Sequence, residues 1–426
     1  MKVLVIGGGG REHALCWKIR QSPQVEELFC ASGNPGIGEI ADLVPISPEE
    51  TLKLADFASE MRIDLTVVGP ELPLTLGLVD VFRDRRLSVF GPDSRAAELE
   101  GSKVFAKELM IRHGIPTARF EVVHDAAEAR KAQRRFGWPL VVKVDGLAAG
   151  KGVSICEDAE ELDQALATIF EARKFGVSGE RVVVEEFLEG EEASFIVLAD
   201  GERVLPFATS KDYKRIGEGD TGPNTGGMGS HSPSGVVSRE VGAEILEKVL
   251  KATVEGMAAE DRAFTGFLYA GLMLTAEGPK VLEYNVRLGD PEAQVLMMRL
   301  EDDLVPVLAA GAAGRFDSRK LTFRREAAAC IVLASPGYPG KSRTGEEIGG
   351  LEEVGAFREV EIFHAGTRLQ EGRLVSSGGR VLNVCATGPR LVDALKNAYQ
   401  GVAKIDWPGK VFRRDIGRRV LKRSDP

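Results

Sequence analysis

A chain of 426 residues with 43% hydrophobic content can bury more than one core, and its length predicts roughly two to four domains. A formal net charge of -9 and a pI near 5.4 exclude a general binder of nucleic acid or of an anionic membrane, which needs a basic surface. Cys16, Cys30, Cys156, Cys330 and Cys385 form no C-x-x-C pair, and Met1 leads straight into Val3–Ile6 without a basic leader, so buried thiols in a cytoplasmic protein are expected.

Residues 1 to about 100 alternate apolar runs (Val3–Ile6, Leu28–Ala31, Leu65–Val68, Ser88–Phe90) with helical patterns, which predicts a doubly wound parallel α/β unit. After the first run, Gly7–Gly10 with Arg11, Glu12 and His13 opens a helix, a place where backbone N–H groups receive phosphate. A dinucleotide site is the rival. Against it, the third glycine position of G-x-G-x-x-G is Glu12, and Ala31–Asn34 ends without the acidic residue that grips a ribose. A phosphosugar suits the loop better, with a plain tight turn as the alternative and His13 as readily packed as ligating.

Ser102 is placed to cap a helix running through Glu108 to Arg112. Leu140–Val144, Val153–Cys156 and Arg181–Phe187 then read as strands around a helix near Ala159–Glu171, an α+β lobe. Between the first two, Asp145 to Gly152 is a glycine-rich link with Lys143 and Lys151 at hand, suited to cover phosphates. It is no Walker A loop, since Gly152 stands where Ser or Thr is needed, and a glycine-rich hairpin explains it nearly as well. The strand ending Glu185–Glu186–Phe187–Leu188 could offer backbone to an adenine and a carboxylate to a ribose, or simply end in solvated acids.

Phe195–Ala199, Val204–Ala208, Phe267–Leu274 and Lys280–Asn285 predict a further, largely antiparallel sheet. Thr221–Gly229 is dense in hydroxyl, amide and glycine, as a substrate loop would be, and Ser210–Arg215 brings cations towards it. Alternation along Lys280–Glu292 puts Glu283, Asn285 and Arg287 on one face and Leu282, Tyr284 and Val286 in the packing. A carboxylate beside an amide oxygen suits magnesium, although an exposed polar edge fits these residues alone equally well. Ala327–Leu333 opens a last segment of short strands that ends in a basic helix near Arg414–Lys422.

Taken together, Gly69–Pro70–Glu71, Gly101–Ser102–Lys103, Lys143 with Asp145–Gly152, Glu185–Leu188, Thr221–Gly229 and Glu283–Glu292 resemble the phosphoribosylamine-glycine ligases, ATP-grasp enzymes of purine biosynthesis. The resemblance covers essentially the whole chain. It implies an N-terminal α/β phosphosugar domain (1–104), a two-lobed ATP-grasp module (105–325, mobile lobe about 123–190) and a small β-rich C-terminal domain (326–426). It implies ligation of glycine to 5-phosphoribosylamine through glycyl phosphate, with ATP and Mg2+ or Mn2+, by a monomer that touches an upstream enzyme at most transiently.

By the same resemblance Glu283 and Asn285 hold metal, and Lys103, Lys143, Gly150, Lys151 and Gly152 meet the nucleotide phosphates. Glu186, Phe187 and Leu188 frame adenine, with Glu191 at the ribose and Glu185 as a further nucleotide-binding residue. Arg287, Lys143 and Asp290 are the implied catalytic residues. Asp212, Asn224, Thr225, Gly226, Gly227, Met228, Gly229, Arg287 and Pro291 lie at the glycine end, and Gly9, Gly10 and Glu71 at phosphoribosylamine. The chain departs from a wider ATP-grasp habit in having no acidic metal ligand within Phe267–Met273. Another carboxylate-amine ligase of the superfamily, or a non-catalytic nucleotide-binding module, stays open at this level.

Overall fold

The structure, a computed structural model, describes residues 1–147, 152–172, 179–317 and 320–424. Gly150 and Lys151, expected at the nucleotide, lie outside the described residues. In the first unit β1 (Lys2–Gly7), β2 (Glu27–Ser32), β3 (Asp42–Val44), β4 (Leu65–Val68) and β5 (Val89–Phe90) form a parallel sheet in the order β3-β2-β1-β4-β5. Val3–Ile6 is wholly buried, because helices cover both faces of such a sheet and its centre reads as an unbroken apolar run. β3 gave no sequence signal: it is three residues long and half exposed.

Helix Lys103–Arg112 starts where expected, with the Ser102 hydroxyl accepting from Phe105 N at 3.1 Å. The domain boundary expected after residue 104 therefore falls inside that helix. β6 (Phe120–Val123), β7 (Leu140–Val144), β8 (Val153–Cys156) and β9 (Val182–Glu186) make an antiparallel sheet in the order β6-β9-β7-β8.

Next in the chain come β10 (Glu191–Asp200), β11 (Val204–Pro206), β12 (Lys211–Asp212), a hairpin of β13 (Arg215–Gly217) and β14 (Thr221–Asn224), β15 (Gly229–Ser232), β16 (Thr265–Thr275) and β17 (Gly278–Asn285). β11-β10-β16-β17 is the antiparallel sheet that the apolar runs predicted. The C-terminal part adds β18 (Ala327–Ala334), β19 (Val360–His364), the hairpin β20 (Thr367–Gln370) and β21 (Arg373–Ser376), and β22 (Arg380–Gly388). Its five-stranded sheet runs β12-β15-β18-β22-β19, so it recruits two strands from well before residue 326. The basic helix begins at Arg418, later than the expected Arg414.

Two corrections concern the strand Gly278–Asn285. Its pairing with β16 shifts between Gly271 and Leu272, a bulge that turns Leu282 to the cavity rather than into the packing, while Val281, Tyr284 and Val286 stay buried. Arg287 lies beyond the strand's end, so its place is set by its ion pairs and not by alternation. All five cysteines are free and buried. Among the described residues no helix is long and apolar enough to cross a membrane.

Candidate active site

A cavity of about 850 Å³ opens where the three units meet. The first contributes Arg11, Glu71 and Glu100, the middle one most of the wall, and the last Tyr338, Arg380 and Arg419. That volume is of the size that holds a nucleotide and a small co-substrate.

At one end Val141, Val153, Ile155, Met110, Met273 and Leu282 form an apolar surface beside Phe187 and Leu188. Glu186 borders it, its carboxylate held by Arg119 N and Nε at 3.0 and 2.6 Å, and Glu191 lines the same rim. Glu185 is different from what was expected. Its side chain is 2% exposed and its two oxygens pair with Lys143 and Lys107, so its evident work is to anchor those lysines at the cavity wall. Lys143 Nζ also donates to Leu282 O at 2.9 Å, and Lys103 Nζ to Gly146 O at 2.9 Å. Gly152 is buried, its carbonyl accepting from Val144 N at 2.9 Å.

Beyond this end Glu283 and Asn285 face the cavity from one side of the last strand. Lys214 Nζ lies 3.1 Å from Glu283 Oε1, and its charge, with help from Lys143 and Lys103, holds the Glu283 carboxyl down to about 2 despite burial. Asp212, on the same segment as Lys214, sits beside Glu292. Burial and that neighbouring carboxylate raise it well above the usual range, and its Oδ1 has no hydrogen-bond partner among the described residues.

Arg287 was expected as a catalytic residue at the glycine end. Its Nε donates to Glu71 Oε2 and its Nη2 to Glu100 Oε1, each at 3.0 Å, and Nη1 reaches Leu288 O at 3.3 Å. Two carboxylates of the first unit thus already grip it. Burial pushes Glu100 up to about 7 against the pull of Arg287. At Glu71 burial acts in the same sense, yet Arg287 and Arg11 outweigh it and hold the carboxyl at about 2. Burial also opposes ionisation of Asp290, but Arg380 and Arg11 hold it below its ordinary value; Arg380 Nη2 lies 3.3 Å from Asp290 Oδ2.

The remaining predicted residues divide. Asn224, Thr225 and Gly226 line the cavity, with Gly226 N donating to the Tyr338 hydroxyl at 2.9 Å. Gly227 is buried against Pro291 and Asp212, Met228 is fully buried, and Gly229 starts a strand of the C-terminal sheet, so these last three shape the loop from behind. Gly9 N donates to Glu12 Oε2 at 2.6 Å and Gly10 packs under Asn383 and Gln294, which leaves Arg11 and Glu71 as the wall at that end. His13 is packed: burial and nearby His364 push it down to about 3, and its Nδ1 accepts from His364 N at 2.8 Å.

Lys107, Glu100, Tyr338, Arg380 and Arg419 were missed. Lys107 had a signal, since it follows Lys103 by one helical turn and shares its face. Glu100 stands directly before the Gly101–Ser102–Lys103 motif and could have been read with it, whereas Tyr338, Arg380 and Arg419 come from the distant C-terminal part, where sequence spacing carries no information.

The phosphoribosylglycinamide synthetase N, ATP-grasp (A) and C domain profiles match residues 1–100, 101–293 and 328–419. A phosphoribosylamine-glycine ligase of Rhizobium meliloti is 50% identical over 426 residues, spanning all of both chains, and one of Brucella melitensis is 48% identical over 424 residues, spanning 100% of this chain and 99% of the other. The crystal structure of a phosphoribosylamine-glycine ligase from Thermotoga maritima superposes with a TM-score of 0.85 at 37% identity, covering 97% of this chain and 100% of that one. A biotin carboxylase from Campylobacter jejuni, at 14% identity and a TM-score of 0.76, covering 99% and 98% of the two chains, shares the fold.

Proposed function

Because the chain belongs to the phosphoribosylamine-glycine ligase family, we propose how its cavity divides an ATP-dependent ligation of glycine to 5-phosphoribosylamine. The products are glycinamide ribonucleotide, ADP and phosphate, and the reaction serves purine biosynthesis. The observation that carries the assignment of roles is one continuous cavity in which an apolar surface, two lysines, the Glu283–Asn285 pair and the Arg11–Glu71 wall follow one another.

In this reading the adenine rests against Phe187, Leu188 and their apolar neighbours, and Lys143 and Lys103 neutralise the nucleotide phosphates. Glu283 and Asn285 fit a hard divalent cation: the carboxylate is ionised, faces the cavity, and stands beside an amide oxygen. Among the described residues no cluster of three or more His, Cys, Asp or Glu offers another cage, which suits an ion whose remaining ligands come from phosphate. When bound, magnesium or manganese supplies charge neutralisation of the transferring phosphoryl group.

The protein's own part is placement. The glycine carboxylate attacks the γ-phosphate to give glycyl phosphate, and the sugar amine then displaces phosphate from the acyl carbon. Neither step needs a nucleophilic side chain, so orientation and fixed charge provide the acceleration. Asp212, Asn224–Gly226, Asp290 and Arg287 surround the space next to Glu283 and are assigned to glycine and the acyl phosphate. Arg11 and Glu71, with the Gly9–Gly10 turn behind them, are assigned to phosphoribosylamine. The acidic composition fits small-molecule rather than nucleic-acid substrates, and five free buried thiols fit a reducing compartment such as the cytoplasm.

The test is ADP release from ATP, magnesium and glycine, with and without phosphoribosylamine generated in the assay, followed by mass detection. Sugar-dependent ADP release with an amide-linked glycyl product is expected. ATP binding without such turnover would transfer the site to another acid and amine.

A further inference from the structure

Lys107 lies on the face of its helix that lines the cavity, one turn beyond Lys103, yet it is only 2% exposed. Its Nζ donates to Glu185 Oε2 at 2.6 Å and to Thr117 Oγ1 at 2.7 Å, with the Phe120 ring centre 5.6 Å away. Thr117 in turn donates to Val281 O at 2.8 Å, which fixes the acceptor against the strand that carries Glu283. The other oxygen of Glu185 takes Lys143. One buried carboxylate therefore bridges two ammonium groups at the cavity wall.

The charge arithmetic gives this arrangement a consequence. Lys143 and Glu185 by themselves sum to zero, and a neutral pair presents only a dipole to an anion. Lys107 restores one net positive charge to the trio, in surroundings poor in water where an unscreened charge acts strongly. We propose that Lys107 is a positioning residue for the nucleotide: by balancing Glu185 it leaves the charge of Lys143 available to the phosphates and holds Glu185 in the rotamer that aims Lys143 into the cavity. This rests on the placement of the nucleotide phosphates at Lys143 given above.

Burial pushes Lys107 down to about 8, with Lys143 acting in the same sense and Glu185 and Glu186 opposing it. Its charge is present at neutral pH and is lost as pH rises through that value.

The experiment measures dissociation constants of magnesium ATP and of adenosine, the latter by competition, for the full chain and three variants: Lys107→Met, Lys107→Met with Glu185→Gln, and Lys143→Met. Lys107→Met should weaken ATP by about tenfold or more and leave adenosine within about twofold, and the double variant should recover most of the loss, because it removes the unbalanced carboxylate together with its partner. Unchanged ATP affinity in Lys107→Met overturns the proposal. So does an equal loss of ATP and adenosine, which is the mark of a merely damaged pocket, or a double variant no better than the single. If Lys143→Met itself binds ATP normally, the placement of the phosphates at Lys143 fails and the role of Lys107 falls with it, whereas a weakened Lys143→Met beside an unchanged Lys107→Met overturns the role of Lys107 alone. Should Lys107→Met not fold, Lys107→Gln, which keeps a donor but not the charge, is measured in the same way, and unchanged ATP affinity in that variant refutes the idea.

Discussion

Lys214 Nζ and Glu283 Oε1 stand 3.1 Å apart, so the carboxylate assigned to the metal is held ionised by a lysine from the loop that also bears Asp212. Glu283→Gln keeps the shape but gives a poorer ligand for a hard cation. Turnover at limiting magnesium should fall by about a hundredfold or more. The thermal midpoint should move little, since both side chains are about a third exposed (31% and 35%) and solvent screens the pair. A magnesium titration of ADP release alongside a melting curve checks both halves; near-normal turnover at low magnesium would remove Glu283 from the ion.

Arg287 joins Glu71 and Glu100 through separate nitrogens of a rigid fork, a geometry that an ammonium cannot copy. Arg287→Lys should lower kcat/KM by about a hundredfold. It should also change the response to pH. The Glu100 carboxyl is raised to about 7 when folded, so ionising it costs stability as pH climbs from about 4.5 through that value, and Arg287 offsets the cost. The variant should therefore lose more stability than the wild type between about pH 5 and about pH 8, read from melting at each pH. Equal losses would mean that Arg287 does not compensate Glu100.

His13 and His364 link the first and last units as buried neutral imidazoles, pushed down to about 3 and about 4 by burial. Each contributes stability that is complete above about pH 6.5 and is lost as pH falls towards its folded value. Acid should thus lower the melting temperature between about pH 6.5 and about pH 4, and His13→Gln should flatten that slope by removing one titrating group. An unchanged slope in His13→Gln would show that His13 is already charged.

Arg413 is 1% exposed and ties the tail to the substrate loop: Nη1 donates to Asp220 Oδ1 at 2.8 Å and Arg215 O at 3.1 Å, and Nη2 to Asp415 Oδ2 at 2.8 Å. Its guanidinium also lies 5.3 Å from the centre of the Tyr213 ring. Arg413→Met removes the guanidinium from Asp415, which keeps Gly219 N, and from Asp220, which keeps Arg419, and should cost about 1–3 kcal/mol of stability. The neighbouring Lys214 would lose its support, so turnover at saturating substrate should fall as well. Chemical denaturation and kcat measure the two effects, and full activity with lowered stability would confine Arg413 to a structural role.

Much of the molecule was legible in the chain. Val3–Ile6 and Phe267–Leu274 announced their strands because burial demands apolar side chains there. Ser102 announced its helix because a hydroxyl at that point can accept from Phe105 N. Glu283 and Asn285 were readable as a pair because strand alternation fixes their direction, and Lys143 because it sits on a strand beside a glycine-rich link, whereas Lys103 entered only through the resemblance. Leu282 was misread because a bulge breaks period two without a sequence mark. Gly227–Gly229 were misjudged because glycine in a loop fits substrate approach and tight packing equally well.

The sequence by itself determined the compartment of charge, the α/β and antiparallel units, and the family of residues from which the site is drawn, because these depend on local pattern and residue chemistry. Only the tertiary structure decided that Glu185 serves two lysines, that Arg287 is shared between Glu71 and Glu100, and that β12 and β15 complete the C-terminal sheet. Each of these joins groups far apart in the chain. Whether a charge faces a ligand or a partner is set by the folded geometry and its desolvation, which no spacing of residues encodes.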